Sequence, residues 1–183
     1  MRNIQIIETE NGPALQFPPT FNVASALIDR HLDEGRGNKA AILTVDETVD
    51  YETLVANVNR YGNALMKLDL KRGDRVLMII KDAPEFYYVF WGCIKAGFIP
   101  VPLNTMLTVE NYKFIISDSG ANALVYSVEF KDGIFAALEE TSPPQHVLPV
   151  RHVTGSLAQR ASAESAKLEG VATTADDECF WLY

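Results

Sequence analysis

Three histidines are the side chains best suited to move protons near neutral pH, because an unperturbed imidazole titrates in that range. His31 falls near the edge of an apolar helix face, and His146 and His152 flank one predicted strand. None has a Ser, Cys or carboxylate partner at a spacing that indicates a catalytic group. The pattern therefore favours structural or surface histidines over catalytic ones.

Two acidic clusters, residues 46–47 and 176–178, could act as paired carboxylates, but both fall in predicted turns, where solvated charge is the usual role. Cys93 and Cys179 are the only cysteines, and neither has a Cys or His neighbour at zinc-ligand spacing. No Gly-rich phosphate loop occurs. We therefore expect no catalytic, cofactor-binding or metal-binding residue in the chain.

Composition limits the class of protein and its partners. The chain has 183 residues, 48% hydrophobic and 22% charged, which is typical of a globular domain. Its formal net charge of −8 disfavours nucleic acid and anionic membranes, because phosphate contacts need clustered Lys and Arg. No run of about 18 apolar residues occurs, so no membrane span is predicted. With no apolar stretch of secretory length and two cysteines expected to be reduced, a cytoplasmic location is predicted.

The pattern of elements indicates how such residues would be positioned. Residues 1–20 are interpreted as a loosely attached lead-in, and Asn22 is predicted to cap a helix over 23–34. Strands are predicted near residues 40–45, 76–80, 98–103, 123–127 and 147–153. This β-α rhythm predicts an α/β fold over residues 21–183, with a mainly parallel sheet and covering helices. The strand at 98–103 contains two prolines, which favours the edge of the sheet.

Two helices have the clearest patterns. A stripe with helical spacing predicts the first, through Leu54, Val58, Tyr61, Leu65 and Leu68. Residues 84–96 are apolar all round, so this second helix should be among the most buried elements. Its aromatic residues, 86–91, could line a ligand cavity, but core packing is their more frequent role. Further helices are predicted from Thr108, over about 129–139 and near 156–168.

The end of the chain has an unusual composition. Residues 154–177 are small and polar, and residues 179–183 then form an apolar, strand-like run, CFWLY. Natural termini usually lie exposed and frayed, so this ending predicts a piece of a longer protein. The alternative is a final strand added to the edge of the sheet.

Three segments resemble, in order, motifs of the adenylate-forming enzymes, which include acyl-CoA synthetases, firefly luciferase and peptide-synthetase adenylation domains. Residues 49–54 (VDYETL) are similar to a Tyr-Glu-x-Leu motif that opens a helix, and residues 94–104 (IKAGFIPVPLN) to a Lys-Ala-Gly-x-x-x-x-Pro motif. Residues 180–183 (FWLY) resemble the strand before a Ser/Thr/Gly-rich phosphate loop, and residues 73–76 (GDRV) resemble the entry to the central strand. The resemblance covers nearly all of the chain after residue 20.

Two segments narrow the resemblance. Residues 176–183 and residues 102–108, together with Tyr112, are similar to benzoate–CoA ligases and their close relatives. Asn104 stands where peptide-synthetase domains usually have Asp, which disfavours an amino-acid adenylating domain. The resemblance implies the N-terminal part of the large domain of an aromatic acid–CoA ligase, cut before the phosphate loop.

The resemblance also implies a two-step reaction that uses ATP, Mg²⁺ and CoA. An aromatic carboxylate attacks the α-phosphate of ATP and releases pyrophosphate, and the CoA thiol then displaces AMP. In this family the phosphate loop, the later motifs and the acid pocket would all lie beyond residue 183. The isolated chain is therefore expected to be inactive and to hold no cofactor, and Tyr51, Gly97 and Pro102 are expected to serve packing and chain direction.

Two alternatives remain open from the sequence. The parent protein could be a fatty or other acyl-CoA synthetase, or the chain could be a free-standing, non-catalytic α/β interaction module. If the chain is a truncated ligase, truncation would uncover apolar surface that the missing part covers, so a homo-oligomer is expected.

Overall fold

The computed structural model describes residues 4–183, and a four-stranded parallel sheet lies at its centre. The strands follow one another across the sheet as β6 (Ile99–Pro102), β5 (Arg75–Ile79), β7 (Ala123–Tyr126) and β8 (His146–Pro149). The predicted α/β fold is therefore confirmed, with four of the five predicted strands in this sheet. The proline-containing β6 lies at the edge, as expected for a strand that lacks two N–H donors.

The fifth predicted strand lies elsewhere. β3 (Ala40–Leu43) pairs antiparallel with β4 (Thr48–Asp50) in a separate two-stranded sheet, so the prediction that residues 40–45 belong to the parallel sheet is wrong. Only residues 44–47 separate β3 from β4, and a connection that short makes a hairpin. A parallel pair would need a crossover of about a dozen residues.

Both faces of the parallel sheet are covered. In β5, Val76 and Met78 belong to one buried cluster, whereas Leu77 and Ile79 belong to the other. The first cluster is closed by α2 (Tyr51–Met66), α3 (Pro84–Ala96) and α6 (Leu157–Ser162). The second is closed by α4 (Val109–Ser119) and α5 (Lys131–Leu138). This arrangement explains why β5 is apolar from Val76 to Ile79, as a doubly covered strand requires.

The helix ends show why the sequence folds this way locally. Asp50 accepts a hydrogen bond from the backbone N of Thr53 at 2.8 Å and so caps α2. Thr108 and Asn111 form a reciprocal capping box at the start of α4, which confirms the predicted start. Gly97 ends α3 with φ of 85°, a left-handed conformation that a residue with a Cβ rarely adopts.

The predicted helix over residues 23–34 is confirmed, but part of it is π-helical. Asn22 Oδ1 accepts from the backbone N of Ala24 at 3.1 Å and of Ser25 at 3.3 Å, so Asn22 is the cap. The helix then widens into a π-helical segment, Ser25–Asp29, before α1 (Arg30–Asp33). This first helix carries Asp29 at the end of its π-helical part.

The lead-in contains an element that the sequence did not reveal. β1 (Gln5–Thr9) and β2 (Gly12–Gln16) form an antiparallel hairpin whose residues are mostly exposed. Residues 1–3 of the lead-in lie outside the described residues. The division of the chain after residue 20 stays a prediction.

The region after β8 departs from the prediction in length. α6 ends at Ser162, so the helix predicted near 156–168 is too long by about a turn and a half. The backbone carbonyl groups of the next residues accept hydrogen bonds from side chains of α2. Asn59 Nδ2 donates to Ala166 O at 2.8 Å, and Asn63 Nδ2 donates to Lys167 O at 3.0 Å. We call residues 164–181, which contain no helix or strand, the strap.

α2 and α3 approach each other closely at two glycines. A Cβ placed on Gly92 would lie 3.0 Å from the backbone N of Gly62 and 3.1 Å from the carbonyl oxygen of Val58. These are backbone atoms of a packed helix, so neither can move aside cheaply. Eight of the thirteen residues of α3 are buried, which confirms the predicted burial, although Tyr87 is 42% exposed.

Gly92→Ala should destabilise the chain by about 1–3 kcal/mol, because the added methyl overpacks the contact between α2 and α3. The matched control is Gly133→Ala in α5, where a Cβ meets nothing within 4 Å. That substitution should stabilise the chain by about 0.5–1 kcal/mol, because alanine loses less backbone entropy on folding. Urea unfolding of both variants measures the free energies, and destabilisations of equal size would contradict the assignment.

Candidate functional site

The sheet topology indicates where a ligand would bind. From β5 the chain crosses through α3 to β6 on one side, and from β7 it crosses through α5 to β8 on the other. Adjacent strands whose connections leave in opposite directions open a crevice at their carboxyl ends. The candidate site is therefore the carboxyl edge of the sheet, beyond β5 and β7.

An ion pair occupies this crevice. Lys81 follows β5 and Glu129 follows β7, and the Lys81 ammonium contacts the Glu129 carboxylate. The backbone N of Lys81 also donates to Ser127 Oγ at 3.2 Å, which ties the two strand ends together. The hydrogen bond from Lys81 holds the pKa of Glu129 below its ordinary value.

A cavity of about 470 Å³ lies beside the ion pair, over the ends of β5 and β6. Its polar groups are those of Lys81, Asp82, Asn104 and Thr105. Asn104 Oδ1 accepts from the backbone N of Met106 at 2.8 Å, so its side chain holds the loop after β6. The lining offers hydrogen-bond donors and acceptors, but it contains no nucleophile with an adjacent base.

A second ion pair joins Arg151, which follows β8, to Glu85 on α3. Arg151 Nη1 lies 2.8 Å from Glu85 Oε1, and Glu85 Oε2 is buried without a hydrogen-bond partner. Burial raises the pKa of Tyr88 to about 12, and burial, with the nearby Glu85 carboxylate, raises the pKa of Tyr61 further. Both phenols therefore stay protonated near neutral pH, and neither suits the role of a general base.

The three histidines lie in separate places in the structure. His31 stacks on Tyr51 with ring centroids 3.7 Å apart, and its Nδ1 accepts from Arg36 Nε at 3.0 Å. Desolvation, and then the charge of Arg36, lowers the pKa of His31. His146 begins β8, and His152 follows it in a left-handed conformation with φ of 69°.

Asp177, in the second acidic cluster, and the two cysteines have defined local surroundings. Asp177 accepts from the backbone N of Thr174 at 2.6 Å and from Arg72 Nη2 at 3.0 Å, and the backbone bond is the main cause of its lowered pKa. Cys93 is buried, Cys179 is partly buried, and burial raises the pKa of both thiols. Across residues 4–183, no three metal-ligating side chains gather in one place.

Sequence reasoning missed several of these residues. Lys81 and Arg151 follow the parallel strands β5 and β8, and that position was the signal that could have found them. Glu85 lies in the first turn of α3. Lys95 was noticed only as part of a motif, yet it is 2% exposed. A charged residue inside an otherwise apolar helix was the signal for that one.

A parallel sheet covered by helices on both faces, with polar groups beyond the carboxyl ends of its strands, is the architecture of an α/β domain. The family model described as "AMP-binding enzyme" matches residues 29–183. The chain belongs to this family of AMP-binding enzymes.

The similarity extends to individual proteins. The benzoate–CoA ligase of Thauera aromatica is 37% identical over 100% of this chain and 35% of its own length. The 4-hydroxybenzoate–CoA/benzoate–CoA ligase of Rhodopseudomonas palustris is 32% identical over 89% of this chain and 31% of its own length. The chain thus spans about a third of the length of the curated relatives that it matches.

Solved structures agree with the sequence relatives. The crystal structure of the anthranilate CoA ligase AuaEII in complex with anthranoyl-AMP superimposes with a TM-score of 0.81 at 26% identity. The match covers 90% of this chain and 31% of that protein.

Within residues 4–183, every helix is too short or too polar to cross a membrane.

The ion pair between Lys81 and Glu129 should make stability depend on pH. The folded pKa of Glu129 lies below its ordinary value of 4.5, so its contribution is present above that pH and is lost as the pH falls through the folded pKa. Both side chains are more than a third exposed, so solvent screening limits this contribution to about 0.2–1 kcal/mol.

Urea unfolding of the wild type and of Glu129→Gln, from neutral pH to about pH 3, measures this contribution. The difference between the two proteins should shrink as the pH falls. Lys81→Met should remove most of the effect of Glu129→Gln, because the hydrogen bond from Lys81 is the largest cause of the lowered pKa of Glu129. A difference that stays constant over the whole range would contradict the assignment.

Proposed function

We propose that the chain is the N-terminal part of an AMP-forming aromatic acid–CoA ligase, which converts benzoate or a substituted benzoate, ATP and CoA into an aryl-CoA, AMP and pyrophosphate. The observation that carries the proposal is the 37% identity to a benzoate–CoA ligase over the whole chain. Membership of the AMP-binding enzyme family supports ATP and Mg²⁺ as requirements of the parent protein. Such an activity suits the degradation of aromatic compounds.

The residues at the carboxyl edge do not fit the phosphates of ATP. Transfer at phosphorus needs cations and backbone N–H groups aimed at developing negative charge. Lys81 and Arg151, which lie at this edge, are already paired with Glu129 and Glu85. The proposal therefore assigns no catalytic, cofactor-binding or metal-binding residue to this chain and expects the groups that act on ATP elsewhere in the parent protein.

Location and self-association are the remaining parts of the proposal. Two free cysteines suit a reducing compartment, which supports the cytoplasm. A homo-oligomer is supported by an exposed apolar patch, made of Phe114 (62% exposed), Leu182 (69%) and Tyr183 (51%). The rings of Phe114 and Tyr183 contact each other with centroids 6.5 Å apart, and Leu182 is the chain neighbour of Tyr183.

The activity is tested with a thioester assay on the chain joined to its natural continuation. Benzoate and hydroxy- or aminobenzoates should be converted with a kcat/KM at least about a hundredfold above that for acetate, because a flat ring buries apolar surface that acetate lacks. The chain of residues 1–183 alone should show no ATP–pyrophosphate exchange.

Two outcomes would change the proposal in different ways. Preference for a medium-chain fatty acid would overturn the aryl assignment and keep the ligase class. Exchange activity from residues 1–183 alone would overturn the statement that the chain is incomplete as a catalyst.

Self-association is tested by light scattering over a range of protein concentrations. The double variant Phe114→Ser with Leu182→Ser should raise the dissociation constant by about tenfold or more, because it removes apolar contacts from the patch. Leu15→Ser is the matched control, since Leu15 is 59% exposed on the hairpin β1–β2. A monomer at every concentration, or equal effects of patch and control, would count against the proposal.

A further inference from the structure

Lys95 is a charged residue in the core of the domain. It lies on α3 and is 2% exposed, and its Nζ lies 2.8 Å from Asp29 Oδ1 on the first helix and 2.6 Å from Asn59 Oδ1 on α2. A buried ammonium is costly unless it is paired and hydrogen-bonded. These contacts meet that requirement and join three helices at one atom.

The ammonium fixes the orientation of the Asn59 amide. An ammonium group only donates hydrogen bonds, so the oxygen of the amide must face Lys95 and its NH₂ group must face the other way. That NH₂ group donates to the carbonyl oxygen of Ala166 in the strap at 2.8 Å. Lys95 thus determines which end of the amide meets the strap, although its ammonium does not bond to Ala166 itself.

The backbone of Lys95 holds the strap at a second point. The N of Val171 donates to the carbonyl oxygen of Lys95 at 3.0 Å, and Asn22 Nδ2 donates to the carbonyl oxygen of Val171 at 3.2 Å. Two residues further on, the N of Phe21 donates to the carbonyl oxygen of Thr173 at 2.8 Å. A segment without helix or strand depends on such outside partners for its buried polar groups.

The far end of the strap reaches the edge strand β6. Trp181 N donates to the carbonyl oxygen of Pro100 at 3.2 Å, and the guanidinium of Arg75 lies 5.1 Å from the centroid of the Trp181 ring. The strap therefore runs from α2 to β6, and where it docks on the helices determines where residues 180–183 lie.

We propose that Lys95 is a positioning residue. Through the relay Asp29–Lys95–Asn59 it docks the strap as a unit, and it thereby places residues 180–183 along β6. Its importance for ligase activity rests on the function proposed above, whereas the docking itself is a property of this chain alone.

Amide hydrogen exchange followed by NMR separates this role from a general contribution to stability. In Lys95→Met, which keeps the length of the side chain and removes its charge, exchange at Phe21 and Val171 should accelerate by about tenfold or more. Leu77 and Val125, in the central strands, are the reference amides and should change much less. Equal acceleration at all four amides, or none, would overturn the proposal.

Asn59→Asp tests the same relay without removing the buried charge. The aspartate keeps an acceptor for Lys95 but loses the NH₂ group that binds Ala166, so Phe21 and Val171 should again lose protection selectively. Unchanged protection in this variant would overturn the proposal even if Lys95→Met does not fold. Lys113→Met is the matched control, because Lys113 also pairs with two carboxylates, those of Glu110 and Glu140, but lies on α4. Its exchange at Phe21 and Val171 should equal that of the wild type, and acceleration there would show that the loss of any paired lysine suffices, which would sink the relay.

A second arm uses the chain joined to its natural continuation. Lys95→Met should lower kcat for the aromatic acid by about tenfold with little change in KM, since the segment after the strap would be misplaced while binding groups elsewhere remain. Absence of thioester formation in the wild type would overturn the proposed function and leave the exchange result standing. Wild-type kcat in a variant whose strap exchanges rapidly would overturn the positioning role.

Discussion

The contact between Gly62 and Gly92 is the constraint on which the rest of the domain depends. Because α2 and α3 meet there through their backbones, both helices can lie on the same face of a narrow sheet. The same closeness brings Lys95, one helical turn beyond Gly92, within 2.6 Å of Asn59, one turn before Gly62. Bulkier residues at the glycines would push the two helices apart and so strain that hydrogen bond.

The carboxyl ends of the strands and the edge strand β6 have different surroundings. At the carboxyl edge, cations from the chain are neutralised by carboxylates from neighbouring elements, so the crevice is polar yet has little charge to offer a phosphate. Beside β6, in contrast, the strap supplies a backbone donor to an edge strand and leaves aromatic and aliphatic side chains in solvent. Both arrangements support the proposal that the groups that act on ATP lie elsewhere in the parent protein, since the chain spans about a third of the length of the ligases that it resembles.

Periodicity and local signals were enough to predict much of the fold. The stripe of α2, the all-round apolarity of α3, the apolar run of β5 and the caps at Asn22 and Thr108 each depend on residues a few positions apart. The pairing of β3 was mispredicted because the alternation of strands and helices was given more importance than the short connection between β3 and β4. Lys95 and the strap could not be found in this way, since the partners of Lys95 lie 36 and 66 positions away in sequence and a strap has no period. The resemblance to ligases, by comparison, came from short motifs and needed no tertiary structure.

The strap is held largely through its backbone carbonyl groups, so its docking depends little on which side chains it carries. Asn59, Asn63 and Asn22 all bind carbonyl oxygens of the strap, and every residue type carries that group. Most side chains between residues 164 and 170 can therefore vary at little cost, with Leu168 and Gly170, which pack closely on Gly62 and Asn22, as the exceptions. Length is a different matter, because one inserted or deleted residue would shift every carbonyl past its donor. Relatives of this domain should consequently vary in the residue types of this segment while keeping its number of residues. An ordinary surface loop, in contrast, also tolerates insertions and deletions.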